Sequence, residues 1–297
     1  MNEIQQLGIE FIVALQAFKS PLLDTFFYLI TQLGGFAYIL VIPLLLWCIE
    51  PRLGLRALLA MLIAQYIVML VKDIVQEPRP YLADTRIISD GEHGFSFPSG
   101  HAMGSLVFYG LLMLWTDKSW LRWLLASLIF FIGLSRNYLG VHYPHDVIFG
   151  WLMGFIYLWG WIKLQHLANK NLRYMNFNRQ VLWSFVVPAL VGTIHYYYFD
   201  YFGALVVAGA VSATMLSLIL DKQKPLLNVN GTITQKTARY LLGIALTFGV
   251  LLGFRPLYPA EDQLLHNPLV WANGFAIAIM MAFIAPKLFS KIKLASP

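Results

Sequence analysis

Charge is scarce in this chain. Asp, Glu, Lys and Arg make up 12% of its 297 residues, about half the share in a soluble domain. That shortage excludes an ordinary water-soluble globule. Cysteine is almost missing too. The single Cys48 rules out an intrachain disulfide and any cysteine-built zinc pattern, and its apolar setting marks it as a small buried hydrophobe. The N-terminus lacks a basic n-region, its first charge being Glu3, so it does not read as a signal peptide. There is no internal repeat, low-complexity tract or soluble domain.

What fills the chain is apolar: 59% of residues are hydrophobic. Stretches close to the ~20 residues that span a bilayer occur at about 26–49 (interrupted by Gly34-Gly35), 53–72, 99–115, 120–135, 145–164, 181–199, 202–220, 237–254 and 268–286. The expected fold is therefore all-α, a polytopic membrane bundle of about nine transmembrane helices. Residues 1–165 hold every polar cluster described below. Residues 166–297 form an extension of about four transmembrane helices.

Ahead of the first span, Ile4, Leu7, Phe11, Leu15 and Phe18 share one helical face, and Gln5, Gln6, Glu10 and Gln16 lie off it. Two readings fit this amphipathic N-terminal helix. It lies along the membrane surface, or it packs on neighbouring helices, because Ile9 and Val13 interrupt its polar side.

Basic residues set orientation. With nine spans, one side collects Arg52, Arg56, Lys118, Arg122, Lys163, Lys170, Arg173, Arg179, Lys222, Lys224, Lys236, Arg239, Lys287, Lys291 and Lys293. The other holds only Lys19, Lys72, Arg79, Arg86, Arg136 and Arg255. The first side is then cytoplasmic, with the N-terminus outside and the C-terminus inside. Acidic residues, Glu92 among them, gather on the outer side. The net charge of +6 sets topology and implies no nucleic-acid partner. Asn230-Gly231-Thr232 matches a glycosylation acceptor, but on this map it faces the cytoplasm and stays unmodified.

Three polar islands interrupt the apolar chain: Lys72 with Arg79-Pro80, Pro98-Ser99-Gly100-His101, and Ser135-Arg136 with His142 and Asp146. All fall at span ends on the outer side. Charge beside lipid is expensive and marks a site. Lys and Arg offer the positive charge and forked donors that a phosphate needs. Gly100 allows close backbone approach at a helix start, whose free N–H groups favour anions, and Ser99 adds a hydroxyl. Pro78 turns the chain out of the helix after Lys72, so Arg79 sits on a loop folding back.

His142 and Asp146 are four residues apart, with Pro144 suited to a first helical turn. Asp146 can hold one ring N–H of His142 and leave the other nitrogen free to attack phosphorus. His101 can protonate the departing oxygen. A metal site is the rival reading, with His101, His142, His145, Asp146 and His93 as ligands. Paired-metal phosphatase sites want several carboxylates, and three nearby cations oppose a metal, so no metal or cofactor is expected. Taken singly, each residue has a plainer role. Lys72 or Arg136 can snorkel to headgroups, Asp146 can cap its helix, His145 and His93 read as surface bystanders, and Glu77 as solvated or paired with a cation.

Together, Lys-x6-Arg-Pro, Pro-Ser-Gly-His and Ser-Arg-x5-His-x3-Asp resemble the three signature motifs of the type 2 phosphatidic acid phosphatase family. The fixed positions are Lys72, Arg79, Pro80, Pro98, Ser99, Gly100, His101, Ser135, Arg136, His142 and Asp146. The resemblance is strong over about 55–164. It implies that His142 is a nucleophile forming a phosphohistidine, that His101 is the general acid, and that Asp146 orients His142. It implies that Lys72, Arg79, Ser99, Gly100, His101 and Arg136 bind phosphate, with no metal.

The departure is length. The added spans resemble the layout of the glucose-6-phosphatase branch and of relatives acting on sphingoid-base phosphates. In the extension, Arg255-Pro256 and Glu261-Asp262 lie in a loop on the active side, where they select a headgroup or only serve topology. The expected activity is metal-independent hydrolysis of a lipid phosphate or diphosphate, in contact with membrane lipids. A sugar-phosphate phosphatase is the alternative within enzymes, and a lipid transporter or binding protein the alternative outside them. A bacterial inner membrane is expected before the endoplasmic reticulum, with the site on the periplasmic or lumenal face.

Overall fold

A computed structural model describes residues 3–172, 175–199, 201–257, 259 and 265–295. Among these residues it is helical, with no strand. The helices are α1 (Glu3–Gln16), α2 (Pro21–Leu33), α3 (Phe36–Ile49), α4 (Pro51–Val75), the single turn α5 (Pro80–Ala83), α6 (Gly100–Trp115), α7 (Ser119–Tyr138), α8 (Pro144–Leu172), α9 (Phe177–Phe199), α10 (Phe202–Gln223), α11 (Ile233–Phe254) and α12 (His266–Lys291).

Length and composition qualify seven of these described helices as membrane spans, or eight when α2 and α3, bent by 47° at Gly34-Gly35, count as one. The expected nine is not reached on this criterion because α6 has only 16 residues. It begins inside a polar site at one end and stops ahead of Asp117 at the other. Large apolar side chains stay exposed along these helices, as at Trp123, Ile148, Phe155 and Leu190. Water would not tolerate so many, and lipid does. The chain is an integral membrane protein.

Contacts divide the chain into two units, residues 1–39 with 64–165, and residues 40–63 with 166–297. In the first, α7 packs on α1, α2 and α6. Phe27 of α2 stacks on Tyr138 of α7 with ring centroids 4.3 Å apart, and Tyr138 donates to Asp24 at 2.6 Å. The helix α1 carries two apolar stripes. Ile9 and Ile12 are buried against Ile87 and Tyr143, with Val13 packed beside them, so Ile9 and Val13, which interrupt the polar side, belong to its packing face. Ile4, Leu7, Phe11 and Phe18 remain exposed, an arrangement suited to a helix with one face on protein and another in lipid. Gln16 closes this contact by donating to the carbonyls of Ile88 and Tyr138, both at 2.8 Å, while accepting from Ile88 N at 2.9 Å.

In the second unit, α10 is the central helix and packs on α9 and α12. Its buried face is made of small residues, Ala204, Ala208, Gly209 and Ala213, which let helix backbones approach closely. Asp221 at its end pairs with Arg52 at 3.0 Å, and Trp47 donates its indole N–H to the carbonyl of Met281 at 3.0 Å. The loop residues Glu261 and Asp262 and the side chain of Arg255 lie outside the described residues.

Candidate active site

All three polar islands lie in the first unit. The helix α4 ends at Val75, and Gln76 takes a left-handed φ of 54°. The chain then doubles back, with Arg79 extended at φ −73°, ψ 151° just ahead of α5. Pro78 ahead of it and Pro80 at the first position of that turn favour this geometry. Lys72, one turn before the break, bonds the carbonyls of Phe95 and Ser96, the latter at 3.1 Å. It therefore ties the end of α4 to the segment leading into α6.

Ser99 caps α6: its hydroxyl accepts from Ala102 N at 3.4 Å, as expected for serine at this position. Its own N–H donates to the carbonyl of Asp146 at 3.1 Å, which fixes the start of α6 against the first turn of α8. The acceptor from Ala102 leaves the hydroxyl hydrogen of Ser99 available.

Asp146 is fully buried, and one of its oxygens, Oδ2, does three things. It accepts from Tyr143 N at 2.8 Å, from the hydroxyl of Ser96, and lies 3.2 Å from His142 Nδ1. Capping and orienting thus coexist in one carboxylate. A carboxylate oxygen has only lone pairs to offer, so the hydrogen-bond network assigns the ring proton of His142 to Nδ1. Nε2 is left with its lone pair, and Arg79 NH1 stands 3.3 Å from it. The imidazole is 2% exposed. Burial pushes its pKa well below the ordinary value, and the charges of Arg136, Lys72 and Arg79, in that order, push it further. Neutral imidazole is the form that can attack.

Two guanidiniums face the site, both almost wholly buried. Arg79 donates Nε to the carbonyl of Gly94 at 3.0 Å, NH2 to that of His93 at 3.0 Å, and NH1 to that of Val141 at 2.9 Å. Arg136, at the end of α7, donates NH1 to Thr31 Oγ1 at 2.7 Å. Its Nε is buried without a hydrogen-bond partner, a donor left over for a ligand. A single carboxylate bridges the pair: Glu92 Oε2 is 3.0 Å from Arg79 NH1 and bonds Arg136 NH2.

His101, in the first turn of α6, lies beneath the bend between α2 and α3. A Cβ on Gly35 would stand 2.9 Å from its Nε2. The structure therefore gathers Lys72, Arg79, Ser99, Gly100, His101, Arg136, His142 and Asp146 around one location.

Several contributors escaped the sequence reading. In the sequence Glu92 is only one acidic residue on the outer side. Thr31 and the Gly34-Gly35 bend lay in what read as an interrupted span. Ser96 carries no motif of its own. His145 is not a surface bystander: its side chain is 19% exposed and pairs at 3.2 Å with Glu77, which is 12% exposed, and its Nε2 also lies 3.4 Å from Asp146 Oδ1. Gln5 of α1 donates to the same Glu77 at 2.7 Å. Glu77, His145 and Asp146 each bring one ligand-type atom within 4.8 Å of the others, the single such group found among the described residues. Those atoms are largely engaged with one another and with Gln5.

Residues 53–170 match the family model described as PAP2 superfamily, and residues 205–297 match that described as PAP2 superfamily phosphatase, transmembrane extension. Sphingosine-1-phosphate phosphatase 1 of Mus musculus is 32% identical over 136 residues, 42% of this chain and 31% of that protein. Undecaprenyl-diphosphatase of Sulfolobus acidocaldarius is 32% identical over 107 residues, 35% of this chain and 50% of that one. The chain thus spans 31% and 50% of the length of these two relatives. Among solved structures, Aquifex aeolicus LpxE aligns with a TM-score of 0.48 at 26% identity, covering 53% of this chain and 95% of that one.

Proposed function

The chain belongs to the PAP2 superfamily, and from that premise we propose that it is a metal-independent membrane phosphatase that releases phosphate from a lipid phosphate or diphosphate. The observation that carries this reading is the state of His142. Its Nδ1 is held by Asp146 at 3.2 Å, and its Nε2 lone pair lies 3.3 Å from a guanidinium that a phosphoryl oxygen can take over.

In the proposed reaction Nε2 attacks phosphorus, and the P–O bond to the lipid breaks. His101 gives its proton to the leaving oxygen. Asp146 stabilises the charge that appears on the ring of His142. Lys72, Arg79, Arg136, Ser99 and the backbone at Gly100 hold the equatorial oxygens, where charge spreads in the transition state. Water then attacks the phosphohistidine, His101 takes its proton back, and phosphate leaves with His142 neutral again. No metal is required, because the cations supply the charge stabilisation.

Around this chemistry we place a core of residues 1–165 and an extension of residues 166–297. Nine crossings follow when the bent pair α2–α3 and the short α6 join the seven long helices. The N-terminus and the site lie on the non-cytoplasmic face, in a bacterial inner membrane or, alternatively, the endoplasmic reticulum. The relatives named for a sphingoid-base phosphate and a polyprenyl diphosphate support a lipid substrate.

Purified protein offered lipid phosphates, lipid diphosphates and hexose phosphates side by side tests the reading. Phosphate release from the lipids, unchanged in EDTA and blocked by vanadate, is the expected result. Turnover of hexose phosphates alone makes the chain a sugar-phosphate phosphatase. Binding of lipid phosphates without turnover makes it a binding or transport protein. Activity lost in EDTA and restored by magnesium reinstates a metal route. His142→Ala is expected to lower kcat by about 10^4-fold or more while leaving the fold intact.

A further inference from the structure

The two guanidiniums that would hold a phosphate already hold an anion. Glu92 Oε2 touches Arg79 NH1 at 3.0 Å and also bonds Arg136 NH2. Arg79 NH1 is the same nitrogen that lies 3.3 Å from His142 Nε2. The carboxylate oxygen therefore shares its donor with the nucleophile, where an oxygen of a phosphate under attack would be.

We propose that Glu92 is a resident competitor for the phosphate site, and that it makes the site selective for terminal phosphates over phosphodiesters. This rests on the phosphatase reading above and narrows its substrate class.

The arrangement is suited to release. Arg79 NH1 carries two hydrogens and faces three acceptors, Glu92 Oε2, the carbonyl of Val141 and His142 Nε2. At least one is always underserved, so the Glu92 contact is not the best two such groups can make. The backbone of Glu92 is pinned independently. Tyr81 donates its hydroxyl hydrogen to the carbonyl of Glu92 at 2.8 Å and accepts from its N–H at 3.2 Å, and Arg79 holds the next two carbonyls. The flanking Gly91 and Gly94 have φ of +80° and +77°, which glycine adopts without strain. The side chain of Glu92 is 35% exposed. Rotation of that side chain alone opens the site, with the loop in place.

Selectivity follows from charge. A carboxylate tethered to the same fold competes at an effective concentration of millimolar or more. A phosphodiester brings one negative charge, so binding it exchanges one monoanion for another and leaves Glu92 displaced. A terminal phosphate brings about 1.5 to 2 charges at pH 7 and three acceptor oxygens, enough to satisfy both guanidiniums and the unpartnered Arg136 Nε. In a bilayer the diesters of bulk phospholipid greatly outnumber any phosphomonoester, so a site without such a competitor would be filled by the wrong headgroup.

The test uses binding rather than turnover. In the His142→Ala protein, inorganic phosphate and dimethyl phosphate are titrated at pH 7.5 by calorimetry, with and without Glu92→Gln. The parent is expected to bind phosphate and to ignore dimethyl phosphate. Glu92→Gln is expected to bind phosphate about tenfold tighter and to acquire affinity for dimethyl phosphate. Glu92→Asp keeps the charge but withdraws it by one methylene; it is expected to fall between the two, and it serves if the glutamine variant does not fold. Equal affinities in parent and variants, or weaker phosphate binding in the variants, overturn the proposal alone. Absence of phosphate binding in every protein overturns the phosphate-site reading and this proposal with it.

Discussion

Asp146 Oδ2 lies 3.2 Å from His142 Nδ1 and accepts from Tyr143 N at 2.8 Å, so one oxygen both starts a helix and fixes a tautomer. The two jobs separate in Asp146→Asn. An amide keeps the size and can still accept the Tyr143 N–H, but it no longer stabilises an imidazolium, and it can present a donor to Nδ1 and reverse the tautomer. We expect kcat to fall by about 10^3 to 10^4-fold with KM and thermal midpoint nearly unchanged. A parallel loss of folding would assign Asp146 to the helix cap alone.

The depressed pKa of His142 makes a signed statement about pH. Burial and the surrounding cations oppose its protonation, so the neutral form of the proposed nucleophile survives as pH falls and is lost only below the depressed value. The acid limb of kcat assigned to this group should therefore lie under pH ~6.5, the ordinary histidine value. Lys72→Met removes one repelling charge and lets the pKa rise, so the limb should move to higher pH even though the overall rate drops. The second ionisation of the substrate, near pH ~6, is common to both proteins and cancels in the difference. An unmoved limb, or one displaced toward acid, would separate His142 from the limb.

At the bend between α2 and α3, Gly35 leaves room for the ring of His101. A Cβ there would stand 2.9 Å from Nε2, closer than atoms pack. Gly35→Ala should displace the proposed general acid while leaving His142 and Asp146 where they are. Proton donation matters most when the leaving oxygen is a poor leaving group. We expect about a 10^2-fold loss of kcat for an alkyl phosphate and a much smaller loss for p-nitrophenyl phosphate, measured on one preparation. Equal losses on both would point to damaged phosphate binding instead.

The three islands were legible because each needs residue types that an apolar helix otherwise avoids, and Pro and Gly announce where their helices begin. Arg79 on a returning loop follows from Pro78, and the helix start at Ser99-Gly100 from the apolar run that opens there. Glu92 and Thr31 were not legible. Their place in the site depends on which residues the fold brings beside Arg136, 44 and 105 positions away along the chain, and no local pattern encodes that distance. The N-terminal helix is a different case, with two readings open from the sequence. Its most regular apolar stripe is the exposed one, since lipid and protein core reward the same side chains and periodicity cannot tell them apart. His145 reads as a bystander because alone it is an ordinary polar residue; only the fold puts it 3.2 Å from Glu77.

In the second unit the seam between α10 and α12 depends on missing side chains rather than on large ones. A Cβ on Gly209 would stand 2.0 Å from the carbonyl oxygen of Trp271, a backbone atom that cannot rotate away. Helices in lipid gain nothing from the hydrophobic effect when they meet, so close packing has to hold them. Gly209→Ala must push α12 outward and forfeit that packing. We expect a destabilisation of about 1–3 kcal/mol, read as a lower thermal midpoint in detergent. Ala213→Gly, on the same helix in a cluster with Ala210 and Ala278, adds no bulk and is expected to cost about 1 kcal/mol at most. If Gly209→Ala proves no more destabilising than Ala213→Gly, close backbone approach is not what holds the seam.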